Sequence, residues 1–164
     1  MKNVDIQVLS SMKCCLRVIS SGSEIDTLCA RLTELLALLS IRPVGFPLTV
    51  SRHTLESFFD YGGHLVVALD KDQNIVGMGR LVFDYESDGK ITWIKDVIVD
   101  KAWRRWGIGE RILVCLIELA LAHQVQYVNV TISPDDVVTN ALFDKFGFSE
   151  LTSNVRRLVL NTDM

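Results

Sequence analysis

The stretch Ile94-Lys95-Asp96-Val97-Ile98-Val99-Asp100-Lys101-Ala102-Trp103-Arg104-Arg105-Trp106-Gly107-Ile108-Gly109-Glu110 decides how the chain is read. It passes from a β-branched strand through a short basic turn and two glycines into a strongly apolar helix. Glycine lets a backbone come close to a ligand, and the first N–H groups of a helix have no acceptor inside it. The helix dipole adds partial positive charge at the same end. Arg104 and Arg105 contribute two full charges, with guanidinium geometry suited to phosphate. The expectation is a pyrophosphate-binding turn built from Arg104, Arg105, Trp106, Gly107, Ile108, Gly109 and Glu110. The plain alternative is a capped turn before a core helix, with arginines that merely face solvent.

Outward from this turn, composition narrows the class. A chain of 164 residues, 49% apolar and 23% charged, suits one compact domain with a proper core, taken here as residues 1–164. A net charge of −3 argues against general binding to nucleic acid or an anionic membrane. Positive charge instead gathers at Lys101, Arg104 and Arg105, as one small anionic cofactor requires. Cys14, Cys15, Cys29 and Cys115 have no C-x-x-C spacing and no paired histidine cluster, so neither metal nor disulfide is expected. The N-terminal Met1 to Asp5 carries no apolar signal core, and Arg31, Glu34, Arg111 and Glu118 interrupt the longest apolar runs. A cytoplasmic protein without a membrane span is expected.

Cys15 to Ile19 reads as a first strand. Ser23 can cap a helix through Leu28, Leu32, Leu35, Leu36 and Leu39, and the segment Arg42 to Pro47 breaks it. A short helix over Leu55 to Phe59 follows. His64 to Leu69 and Ile75 to Phe83 read as strands joined by Asp70 to Asn74, and an Asp84 to Lys90 connection leads to a strand over Ile91 to Val99. These three make an antiparallel meander. Gly109 to His123 is a largely covered helix, and Tyr127 to Thr131 a short buried strand that the crossover sets parallel to the strand before the turn. Asp135 to Phe146 is a further helix ended by Gly147, and Val155 to Leu160 closes the sheet. The expected fold is α+β: a central mixed, mostly antiparallel sheet flanked by helices.

Competing phosphate motifs fit poorly. A Walker loop needs G-x-x-x-x-G-K followed by Ser or Thr, which does not occur, and a G-x-G-x-x-G fingerprint meets Ile112 where its third glycine belongs. Arg104 to Gly109 spells R-x-x-G-x-G after a strand ending Val97-Ile98-Val99-Asp100. Here the chain resembles the GCN5-related N-acetyltransferase (GNAT) superfamily, whose signature is Gln or Arg, two free positions, Gly, one free position, then Gly or Ala. The late Asn140-Ala141-Leu142-Phe143-Asp144-Lys145-Phe146-Gly147-Phe148 is similar to its L-Y-x-K-x-G-F segment. The first part of the chain matches in element type only.

The resemblance implies acetyl-CoA as cosubstrate, and splayed strands at which the backbone of Val97, Ile98 and Val99 binds the pantetheine arm. An unpaired strand N–H in a cleft agrees with that role and could polarise a thioester carbonyl. Asp96 is the catalytic candidate: a carboxylate between apolar neighbours could take the proton an amine must lose, or it could pair with a Lys or Arg and hold the strand. Phe143 stands where the superfamily often has a Tyr that protonates the leaving thiolate. The acid then lies elsewhere, with Tyr61, Tyr85 and Tyr127 as open choices, or none is needed because a thiol of pKa about 8.5 leaves readily.

Asn140 is a candidate cofactor contact or a helix-surface residue, and Lys145 reaches a phosphate or serves the helix dipole. Asp70-x-Asp72-x-Asn74 fails as a calcium loop, since Ile75 and Leu81 occupy the Gly and Glu positions. His123 is read as a helix C-cap, and His64 as an outside candidate for base. The expected activity is acetyl transfer to a small-molecule or peptide amine by direct attack in a ternary complex. The amine would sit between the loop around Phe46 and the Asp84 to Lys90 connection. The alternatives are an acyl-CoA sensing module without turnover, or transfer of a longer acyl group or onto a hydroxyl. A homodimer is plausible from the family and from the apolar C-terminal strand.

Overall fold

The computed structural model describes residues 14–20, 25–38, 49–86, 89–125 and 127–150. Its elements are β1 (Cys14–Ile19), α1 (Ile25–Leu36), α2 (Arg52–Asp60), β2 (His64–Asp70), β3 (Ile75–Glu86), β4 (Gly89–Val99), a 3-10 turn (Lys101–Trp103), α3 (Ile108–Ala122), β5 (Val128–Val130) and α4 (Val137–Lys145). The five strands form one sheet in the order β1-β2-β3-β4-β5. The first three pairings are antiparallel, and β4 and β5 are parallel. The mixed α+β expectation is met. Ser23, Leu39, the loop around Phe46 and the expected strand Val155 to Leu160 lie outside the described residues.

Alternation along β2 shows how the sheet is covered on both faces. Leu65, Val67 and Leu69 pack with Leu28, Leu32, Leu35 and Leu55 of α1 and α2, together with Met78 and Ile98. Val66 and Ala68 join Leu81, Ile94, Ile108, Ile112, Leu113, Leu116 and Phe143, the layer formed by α3 and α4. This two-residue period is what a strand buried on both sides requires. Each large apolar side chain so buried contributes roughly 1.5–3 kcal/mol.

Glycines in β3 bring α3 unusually close. A Cβ on Gly79 would lie 2.7 Å from both Ile112 Cγ2 and Leu116 Cδ1, and one on Gly77 would lie 3.1 Å from Ile112 Cδ1 and from the Ile98 carbonyl. The helix therefore rests on the sheet backbone itself.

Local signals set the ends of elements. Ser51 Oγ accepts the Thr54 N–H at 3.1 Å and starts α2, which is longer than the sequence suggested. Asp70 accepts the N–H groups of Asp72 and Asn74 at 2.8 Å, so its carboxylate organises its own hairpin turn. After α4, Gly147 (φ 81°) lets Phe148 N–H reach Phe143 O at 3.2 Å and Gly147 N–H reach Asp144 O at 3.0 Å. With the Phe143 and Phe148 rings 5.0 Å apart, this is a Schellman close with its apolar contact.

Two expectations need correction. The Asp84 to Lys90 connection is mostly strand, because β3 runs to Glu86 and pairs Asp84 with Ile91, Tyr85 with Lys90 and Glu86 with Gly89. Backbone pairing continues there although the side chains are polar. The strand expected over Tyr127 to Thr131 is only three residues long, half-buried rather than buried, with Tyr127 exposed. Among the described residues no helix is long and apolar enough to cross a membrane.

Candidate functional site

The parallel ladder between β4 and β5 is short: Thr92, Trp93 and Ile94 pair with Val128, Asn129 and Val130. β4 continues to Val99, and among the described residues no strand pairs with its β5-side edge beyond Ile94. On its other side, β3 pairs Arg80 with Lys95 and Met78 with Ile98, so Asp96 and Val97 together oppose Gly79. This two-against-one count is a β-bulge, and Asp96 takes a left-handed φ of 54° within it. The bulge thus falls just after the last β5 partner, and among the described residues the backbone of Val97, Ile98 and Val99 has no strand partner on that side.

At the end of this edge, Asp100 organises the basic turn. Its N–H donates to Val76 O at 2.8 Å, and its Oδ1 accepts the Ala102 N–H at 3.1 Å. Oδ2 accepts from Arg31 Nη2 at 2.7 Å, while Arg31 Nε donates to Ile75 O at 2.8 Å. The Arg31 hydrogen bond, helped by the Ala102 N–H and the Arg104 charge, holds the Asp100 carboxyl below its usual range. The exposed Arg104 folds back so that Nε donates to Val99 O at 3.0 Å. Arg105 (φ 68°) and Gly107 (φ 74°) then turn the chain sharply into α3.

Gly107 is the N-cap and has no side chain to bond the first turn. By helix geometry the N–H groups of Ile108, Gly109 and Glu110 therefore lack acceptors within α3. Ile108 is buried, whereas Arg104, Arg105, Trp106 and Gly107 are exposed. A Cβ on Gly109 would meet Val99 Cγ2 at 3.6 Å and Leu142 Cδ2 at 3.9 Å, which is ordinary contact. The same distances show that the end of β4, the start of α3 and Leu142 within α4 come together here. An exposed pair of guanidiniums beside three helix amides without intrahelical acceptors is a donor set for a polyanion.

Other residues singled out in the sequence are engaged within the protein. Asp96 accepts from Arg80 Nε at 2.5 Å, and Arg80 Nη2 bonds the same oxygen. This is the strand-holding alternative weighed for Asp96. Asn140 Nδ2 donates to Ser133 O and Asp136 O, both at 2.8 Å, and so braces the loop before α4. Lys145 Nζ pairs with Glu110 Oε1 at 2.8 Å, linking α4 to the first turn of α3. Phe143 is buried in the core.

His64 lies elsewhere. It pairs with Leu81, at the sheet end opposite Val99, which pairs with Gly77. Its Nδ1 meets Ser20 Oγ at 2.7 Å and its Nε2 meets His123 Nε2 at 2.8 Å. Burial, the neighbouring His123 and the Lys90 charge lower its pKa; burial and Lys90 also lower that of His123, the C-cap of α3. Tyr61, Tyr85 and Tyr127 are all exposed. Burial pushes the Cys115 thiol up to about 11, which disfavours a thiolate nucleophile. Among the described residues no group of three or more His, Cys, Asp or Glu side chains could hold a metal ion.

Sequence reasoning missed Arg80 and Arg31. The pair Gly77-x-Gly79 before Arg80 is a visible sign that something packs close to β3, but neither arginine announces its distant partner.

The sequence model of the acetyltransferase (GNAT) family matches residues 35–148. No curated protein compared is significantly similar to the chain in sequence. Similar solved structures include glucosamine-6-phosphate N-acetyltransferase from Arabidopsis thaliana (TM-score 0.68, 18% identity, covering 90% of this chain and 99% of that one). A predicted acetyltransferase from Clostridium acetobutylicum, solved with acetyl-CoA, gives TM-score 0.72 at 14% identity, covering 92% and 99%. An aminoglycoside acetyltransferase from an uncultured soil metagenomic sample gives TM-score 0.66 at 26% identity, covering 91% and 100%.

Proposed function

The chain belongs to the acetyltransferase (GNAT) family, and from that premise we propose that it moves an acetyl group from acetyl-CoA to a primary amine. The observation that carries the reading is the β4 edge, without a strand partner beyond Ile94 among the described residues, which leads directly into the basic turn and the α3 amides. Arg104, Arg105 and the N–H groups of Ile108, Gly109 and Glu110 would hold the diphosphate. The backbone of Val97, Ile98 and Val99 would bond the pantetheine arm as an added strand bonds a sheet edge. Trp106 would cover the turn from the solvent side.

Acetyl-CoA supplies an activated thioester, so the protein has to bind, orient and polarise it. A backbone N–H near the bulge, fixed in direction, stabilises charge that develops on the carbonyl oxygen. Holding amine and thioester together then removes the entropic cost of their encounter. Direct attack needs no acyl-enzyme, in keeping with the raised thiol of Cys115. The amine would lose its proton to water, since Asp96 Oδ2 is held by both Arg80 nitrogens. With Phe143 buried and lacking a hydroxyl, the coenzyme leaves as thiolate. The amino-sugar and aminoglycoside names of the similar structures favour a small-molecule amine as acceptor.

Thiol release from acetyl-CoA across a panel of amino sugars, aminoglycosides, polyamines and peptides tests this. Amine-dependent release is the expected result. Absence of calorimetric heat with both CoA and acetyl-CoA would overturn the reading. Binding without release would instead favour an acyl-CoA sensor, to which the absence of a hydroxyl at Phe143 lends support.

A further inference from the structure

We propose that Arg80 is a positioning residue, which sets the thioester-facing backbone of β4 by clasping Asp96 inside the bulge. The inference rests on the acetyl-CoA reading above and assigns a part to a residue outside the signature turn.

Asp96 sits at φ 54° inside the bulge, a left-handed conformation that is sterically costly for a residue with a Cβ. Asp tolerates that region better than most residues, because its short polar side chain finds partners locally. Here the partner is Arg80, directly across from Lys95 at the margin of the bulge. Its Nε and Nη2 converge on a single oxygen, Asp96 Oδ2. Both side chains are largely enclosed, 28% exposed for Arg80 and 16% for Asp96, so little water competes for the contact. The Arg80 guanidinium also lies 5.5 Å from the centre of the Phe58 ring of α2, which limits its freedom.

The opposite face closes the vice. Gly79, the residue opposing the bulge, has no Cβ, and Ile112 and Leu116 of α3 occupy that space. Any Cβ there would also lie 3.5 Å from Val97 Cγ2. β3 is thus pinned to α3 on one face, while Arg80 reaches from β3 to Asp96 on the other. The peptide groups that follow, Val97 to Val99, inherit their direction from this clasp. Releasing it lets Asp96 relax toward a negative φ, which swings those N–H groups while the turn at Arg104 to Glu110, held by Asp100 and Arg31, stays in place.

The test uses the whole chain and acetyl-CoA, followed by backbone amide resonances and by kinetics. In the wild type, the amides of Gly109, Glu110, Val97 and Ile98 should all shift on titration. In R80M, the Gly109 and Glu110 amides should still respond while those of Val97 and Ile98 should not. Turnover with the best amine of the panel should fall about tenfold or more in kcat, with the KM for acetyl-CoA changing less than about threefold. R80K, which keeps a cation within reach of Asp96, should recover part of kcat.

D96G separates geometry from chemistry, because glycine takes a positive φ without a clasp. It should lose less than R80M, and adding R80M to it should cost nothing more. Equal responses of Val97 and Ile98 in wild type and R80M would overturn the inference alone. So would a further loss when R80M is added to D96G. Failure of the wild-type Gly109 and Glu110 amides to respond would overturn the acetyl-CoA reading itself, and this inference with it.

Discussion

Replacing Arg104 with Ala should weaken acetyl-CoA recognition while leaving the amine site alone. The guanidinium is anchored through Nε to Val99 O at 3.0 Å, so its remaining N–H groups project from a fixed base rather than from a free side chain. A hydrogen bond to a charged group contributes about 1.5–3 kcal/mol, but Arg104 is exposed and solvent screens it. Discounted for screening to about 1.4 kcal/mol, just under that range, the loss should raise the KM for acetyl-CoA about tenfold, with the KM for the amine nearly unchanged. The loss should shrink as salt is raised, because screening already weakens the wild-type contact. Arg104→Lys should fall between the two, keeping the charge and losing the Nε anchor.

Initial rates of thiol release give both constants. S-acetylpantetheine, which has no diphosphate, supplies the internal control: wild type and Arg104→Ala should use it equally poorly. Equal shifts in the two KM values would refute the assignment of the turn. A matching loss with S-acetylpantetheine would do the same.

Gly79→Ala should destabilise the fold by about 1–3 kcal/mol in urea denaturation, because its Cβ would press on Ile112 and Leu116. Gly109→Ala should leave stability unchanged or slightly raised, since its neighbours stand at 3.6 Å or more and alanine favours a helix. Thr92→Val should raise the unfolding free energy in urea by about 1 kcal/mol, since Thr92 Oγ1 is buried without a hydrogen-bond partner among the described residues. His64 and His123 have folded-state pKa values lowered below the unfolded value near 6.5, so the unfolded chain binds more protons as pH falls. Their stabilising contribution is complete above that value and declines as pH drops through and below it; urea midpoints from pH 7.5 to 5.5 should fall less steeply in His64→Asn.

Much of the architecture was legible because its signals are local. The apolar run of β2 and the glycines after Arg105 each act within a few residues, and each marks an element that is present. The hairpin at Asp84 to Lys90 was misread for a physical reason: hydrophobic pattern reports burial, whereas its strands pair through backbone groups that any side chain can accompany. The turn from Arg104 to Gly109 was legible in the same local way. The bulge was not, because nothing beside Asp96 in the sequence requires a left-handed φ. The side chain that clasps Asp96, Arg80, stands sixteen positions earlier. The contacts of Asn140, Phe143 and Lys145 with Ser133, Phe148 and Glu110 were not legible either, because no local pattern in a sequence reports such pairings.

The bond from Arg31 to Asp100 spans 69 residues of chain. A protein engineer who transplanted β4, the turn and α3 onto a new scaffold would carry over every letter of the signature and leave its anchor behind. The portable unit is larger than the motif, and it includes one arginine from the first helix.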